Sequence, residues 1–188
     1  MLIYRNSHRP ERTAHLLGTL ATAAATLADG EPSHDAVRDL LVAFDTLEGG
    51  IADRLNPQVD DLGPCQAALR QTALALATTF LDSLAGRRRA TRCGLQRLTR
   101  QLAALEQHDL PEIIEVAQAE GYAWYALFPE AYVLAARQFQ AEVAPQAAVC
   151  LGLRQIGGSL SAVVAAAIAE TGCPVQLFNA RPRGDPFA

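Results

Sequence analysis

Between Glu11 and His108 the apolar residues of this chain recur every three or four positions; beyond Pro111 that rhythm gives way to short continuous runs. The first regime predicts four helices. "ERTAHLLGTLATAAATLADG" closes on Gly30 with Pro32 just beyond, a stop signal. Ser33 is placed to cap the next helix, which carries Val37, Leu40, Leu41, Phe44, Leu47, Ile51 and Leu55 as a single stripe. "NPQVDDLGP" is the loop that follows. Pro64 suits a first helical position, and Leu69, Ala73, Leu76, Phe80 and Leu84 repeat the stripe until Gly86. A fourth helix carries Leu95, Leu98, Leu102 and Leu105 and ends near His108. Four amphipathic helices with short connections predict a helical bundle over residues 1–110.

The second regime, residues 111–188, mixes element types. "PEIIEVAQAEG" reads as one more short helix, and "YAWYALF" as an aromatic strand. Pro129 opens a helix that runs through Gln140, and "AAVCLGL" is a continuous run of the kind found in strands buried on both faces. Gly157 to Glu170 reads as a turn and helix stopped by Gly172, and "PVQLFNA" as a further strand. Ala147 to Ala180 therefore predicts a strand–helix–strand crossover, and such crossovers make strands parallel. The expected class is mixed α+β: a helical bundle, then a partial α/β segment with a short, mostly parallel sheet.

Half of the 188 residues are hydrophobic and 19% are charged, which suits a packed core. The formal charge of −4 gives no global pull toward nucleic acid or anionic lipid. Every one of the 16 basic residues is arginine, so a lysine Schiff base and a Walker A lysine are excluded. Cys65, Cys93, Cys150 and Cys173 lack any Cys-x-x-Cys pairing and predict free thiols in a reducing compartment. No apolar run approaches the ~20 residues of a membrane span, and a cytoplasmic location is expected.

Candidate chemistry centres on "GLRQIGGSLSAVV". A helix N-terminus preceded by small residues exposes unpaired amides backed by the positive end of the helix dipole. Gly157 and Gly158 let a phosphate approach the main chain, and Ser159 adds a hydroxyl or caps the helix. Arg154 stands at the strand end, where open α/β sheets bind ligands. The competing reading is a tight turn with nothing bound. Sharper motifs fail: the glycine spacing is wrong for a dinucleotide fingerprint, and Gly-x-Ser-x-Gly is broken by Ser161. His8, His15, His34 and His108 are isolated and predict no zinc site.

"GYAWYALFPEAYVLAARQF", "VCLGLRQIGGSLSAVVAAAI" and "VQLFNARPRGDPF" together resemble bacterial phosphoribosyltransferase-like proteins with a helical N-terminal region. The resemblance implies that Arg154, Gln155, Ile156, Gly157, Gly158 and Ser159 form the loop that holds a pyrophosphate group, with magnesium accompanying phosphoribosyl pyrophosphate where a complete site forms. Arg181 and Arg183 of the tail are candidates to neutralise a phosphate, against the reading of a solvated terminus. The family's second loop, an acidic pair followed by glycine, serine and threonine, has no counterpart. Asp60-Asp61 is the only acidic pair, and it lies between helices. The expectation is thus a truncated relative, half of a split protein, or a remnant used for binding, ahead of a complete transferase. Its rival is a helical interaction or scaffold protein without catalytic activity. Partners expected are a phosphoribosyl ligand and either a second copy or a second chain that completes the sheet.

"GRRRATRCGLQRLTR" places Arg89, Arg92, Arg97 and Arg100 opposite the leucine stripe. A solvated face paired with neighbouring acids is favoured there over a nucleic-acid contact, because no aromatic residue interleaves with the arginines.

Overall fold

Ser33 accepts a hydrogen bond from the Ala36 amide at 3.2 Å and starts a helix at His34, as the cap signal requires. The structure is a computed structural model and describes residues 8–117, 120–123, 125–154 and 156–182. Four long helices follow one another: α1 (Thr13–Asp29), α2 (His34–Leu55), α3 (Pro64–Leu84) and α4 (Arg88–Leu105). Their stripes meet in one core in which Leu41, Phe44, Ile51, Leu76, Phe80, Leu95 and Leu98 are buried. Each such side chain contributes roughly 1.5–3 kcal/mol by leaving water. Leu55 and Leu84, the last residues of their stripes, stand at the helix ends and remain partly exposed. His34 is not solitary: its ring nitrogens reach Ser83 Oγ at 2.8 Å and Glu130 Oε1 at 2.9 Å, pinning the start of α2 to its neighbours.

The helix expected across "PEIIEVAQAEG" is a strand instead. Residues Ile113–Val116 (β2) pair antiparallel with an N-terminal strand, Arg9–Arg12 (β1), in the register Glu11↔Ile114. Burial alternates: Ile114 and Val116 are inside, Ile113 and Glu115 outside, the period of a strand. The aromatic strand expected at "YAWYALF" is also absent from the described residues. Glu120–Ala123 forms a single helical turn, α5, and residues 125–128 are irregular. Of the aromatic residues here, Tyr122 is turned inward and Tyr125 and Phe128 are exposed, while Trp124 lies outside the described residues.

The last elements are α6 (Pro129–Val143), β3 (Ala148–Leu153), α7 (Gly158–Ala169) and β4 (Val175–Ala180). β3 and β4 run parallel with Cys150 opposite Leu177, so the expected crossover is present. α7 is buried nearly all round, between the sheet on one side and α2, α3 and α6 on others. The expectation that β3 is buried on both faces does not hold. Cys150 and Gly152 face inward, but Val149, Leu151 and Leu153 are 68%, 61% and 42% exposed, because no element among the described residues covers the second face. The core itself is continuous from α1 through β4. No helix among the described residues is long and apolar enough to cross a membrane, and the four cysteines are free.

Candidate functional site

The turn between β3 and α7 is built from the main chain outward. The Arg154 amide continues the sheet by donating to the Ala180 carbonyl at 2.9 Å. The Ile156 and Gly157 amides both fold back onto the Leu153 carbonyl, at 3.2 and 2.8 Å. Gly157 is the residue before the helix, and Ser159 lies one position inside it. Ser159 therefore does not cap α7. Its amide donates instead to Asp45 Oδ1 at 3.0 Å, and its hydroxyl meets the Tyr122 hydroxyl at 2.7 Å. The anion expected at this helix start is thus supplied from within the chain, as a carboxylate of α2.

Asp45 also explains Gly158. A Cβ at that position lies 2.3 Å from Asp45 Oδ1, so only glycine admits the carboxylate this close. Gly152 serves a similar purpose in β3: a Cβ there meets Ser161 Oγ at 2.4 Å and Asn179 Oδ1 at 2.6 Å. The small residues of the turn make room for polar side chains of the fold.

One turn along α2 from Asp45 sits Glu48, equally buried. Asn179 at the end of β4 donates to Glu48 Oε1 at 2.8 Å, while Glu48 Oε2 has no hydrogen-bond partner among the described residues. Burial pushes the Asp45 carboxyl up to about 6, against the lowering effect of the Ser159 amide and hydroxyl. Burial, then the charge of Asp45, pushes Glu48 up to about 7, against Asn179, Arg154 and Arg70. Burial likewise raises the Tyr122 phenol. Near neutral pH Asp45 is therefore mostly ionised, as the anion at the start of α7, while Glu48 keeps a share of the proton that an exposed carboxylate has lost.

Arg154 points into the same seam. Its guanidinium is 4% exposed, donates to Asp53 Oδ1 at 2.9 Å, and also binds Asp60. Arg181 shares both carboxylates: its side chain pairs with Asp53, and its amide donates to Asp60 Oδ2 at 3.0 Å. Arg181 is therefore tied to the fold and is not part of a solvated tail. The structure brings Arg154, Ile156, Gly157, Gly158, Ser159 and Arg181 together at the ends of the two parallel strands; Gln155 and Arg183 lie outside the described residues. An arriving phosphate would have to displace Asp45 from Ser159, and Arg154 from Asp53 and Asp60. As it stands, this is a closed seam joining α2 to the crossover, in which Asp45, Asp53, Asp60, Arg154 and Arg181 are engaged with one another or with Ser159.

Asp45, Glu48, Asp53, Tyr122 and Asn179 were not among the candidates named from sequence. One signal for Glu48 was available. At ~100° per residue it falls in the middle of the Phe44–Ile51 apolar stripe, where a charged group needs a specific partner.

On the other side of β3 lies a second candidate. The edge of the strand, unpaired among the described residues, faces a groove of about 690 Å³, walled by α6 and floored by α7. Tyr132, Ala136, Phe139, Leu160 and Val164 line it, and no charged side chain does. Leu134, Phe139 and Val143 leave α6 with exposed apolar surface as well. Comparison of the chain with protein-family models, with curated proteins and with solved structures finds no match.

Proposed function

We propose that the chain is an incomplete phosphoribosyltransferase-like unit that works as a protein-binding module, with the open edge of β3 receiving another β-strand. The carrying observation is that edge. A two-stranded sheet is marginal by itself, and β3 has a strand on one edge only among the described residues, with an apolar groove beside the other. Monomeric proteins blunt such edges with charge, proline or a covering element; the sequence of β3, "AVCLGL", contains neither charge nor proline. A strand laid beside it gains main-chain hydrogen bonds and sends alternate side chains into the groove.

The occupant is the β3 edge of a second copy. Two-fold pairing requires a self-complementary surface, and an uncharged apolar strand meets that requirement where a charged one repels itself. Light scattering after size exclusion should give twice 20.1 kDa for the intact chain. Leu151→Arg should return a folded monomer that loses only the concentration-dependent stabilisation of pairing, since Leu151 is 61% exposed. A wild-type monomer at about 100 μM, where even a 10 μM Kd leaves most chains paired, sinks this occupant.

A second reading is capture of a phosphoribosyl pyrophosphate at Arg154–Ser159. What favours it is the place of the turn, at the C-terminal ends of both parallel strands and the start of α7. Magnesium does not fit the arrangement: the neighbouring carboxylates are engaged by Ser159, Asn179, Arg154 and Arg181, and the described residues hold no cluster of three metal-ligating groups. No turnover is assigned. Under this reading, calorimetric titration with phosphoribosyl pyrophosphate and magnesium gives binding that strengthens when Asp45→Gly clears the Ser159 amide. Silence from both proteins ends it.

A further inference from the structure

We infer that the outward face of α4 is a binding surface for the phosphate backbone of nucleic acid. Arg88, Arg89, Arg92, Arg97 and Arg100 are all exposed, and α4 contains no acidic residue. The neighbouring acids expected to neutralise them do so only at one end. Arg87, just ahead of the helix, pairs with Asp82 and Glu170, Arg88 approaches Glu31 at 3.6 Å, and Arg92 donates to the Gly30 carbonyl. Arg89, Arg97 and Arg100 have no ion pair among the described residues. The reason lies in the flanking helices. α1 and α3 pack along either side of α4, and their only acids are Asp29 and Asp82, each close to a helix end.

The charge of the chain is therefore strongly divided. α1, α3 and α4 carry six arginines and two aspartates, a formal +4. Since the whole chain is −4, the rest stands at −8. A basic face on an acidic molecule cannot be ascribed to composition.

The shape of the patch selects the partner. Arg89 and Arg100 are eleven residues apart, about 16 Å along the axis, with Arg92 and Arg97 between them on the same side. At one end, Arg88, Arg89 and Arg92 surround a hollow between α4 and the α1–α2 turn. A row of guanidinium forks matches a row of phosphates, each fork able to take two oxygens. No aromatic residue lies on α4, so bases have nothing to stack on and recognition rests on the backbone. A membrane surface fits less well. Leu95, Leu98, Leu102 and Leu105 are buried in the core, and α4 exposes no large apolar side chain that would enter a bilayer.

Fluorescence anisotropy of the full chain with labelled single- and double-stranded 20-mers, from 50 to 200 mM salt, tests this. With about three phosphates neutralised, log K should fall with log salt at a slope on the order of −2 to −3. The combined variant Arg89→Gln, Arg97→Gln and Arg100→Gln should keep the wild-type Tm, lose at least tenfold in affinity at 50 mM salt, and flatten the slope toward zero. Phosphatidylserine vesicles form the second arm, with weaker association than the oligonucleotides expected. The proposal is overturned by absence of binding at 50 mM salt, by binding indifferent to salt, by an unchanged triple variant, or by vesicles that bind as well as the oligonucleotides.

Discussion

Replacing Arg154 with methionine is expected to lower stability by about 3 kcal/mol, a drop in Tm on the order of 6–12 °C for a chain of this length. The side chain is 4% exposed and holds two carboxylates, Asp53 and Asp60, against the end of the sheet. Deleting one partner of a buried ion pair costs ~3–5 kcal/mol because the survivors keep their charge without its compensation. Asp53 and Asp60 are 21% and 25% exposed, so they regain some hydration and the lower end applies. Arg181 continues to hold Asp53, which limits the loss further. Adding Asp53→Asn and Asp60→Asn to Arg154→Met should recover more than half of the deficit, since the stranded charges are then gone. Thermal and urea unfolding at pH 7 measure both. An unchanged Tm with weakened phosphoribosyl pyrophosphate binding would reverse the assignment and make Arg154 a ligand group.

Helix α2 was legible in its period but not in its partner. The spacing of Val37, Leu40, Leu41, Phe44, Leu47 and Ile51 specifies a helix with one buried face, because an apolar stripe has few other ways to leave water. The same physics made α1, α3 and α4 readable, whereas α6 was marked by Pro129 at its start and α7 by the glycine turn before it and Gly172 after it. The strands β1 and β2 were hidden because they span four residues each and join positions about a hundred apart, so neither carries a period long enough to detect alone. The turn at 154–159 was found, but its neighbour was not. Ser159 and Asp45 are 114 positions apart, and no local pattern says that a carboxylate of the second helix reaches that amide. A glycine-rich helix start has the same local form whether the anion is a phosphate or an aspartate of the chain. The open face of β3 was likewise invisible, since an uninterrupted apolar run looks alike when one side or both are covered.

The buried acids of α2 make stability depend on pH in a direction opposite to that of an ordinary salt bridge. Asp45 is raised from 3.8 to about 6 and Glu48 from 4.5 to about 7. The folded chain holds these protons more tightly than the unfolded chain, so the stabilisation is fully present below about pH 4 and is lost as pH rises through 6 to 7. Glu130 and Glu170 are shifted down and act in the opposite sense below pH 4.5, which leaves the window from pH 5 to 8 to the raised pair. Glu48→Gln isolates one member. The amide oxygen can still accept from Asn179, and the amide nitrogen takes the place of the protonated oxygen. At about 1.4 kcal/mol per pKa unit, the variant should gain on the order of 3 kcal/mol over wild type at pH 8 and little at pH 4. Urea midpoints across pH 4–8 read this directly: the wild type declines from pH 5 to 8 and Glu48→Gln declines less. Parallel curves would mean that Glu48 enters the fold already ionised, and that its unpartnered oxygen finds solvent.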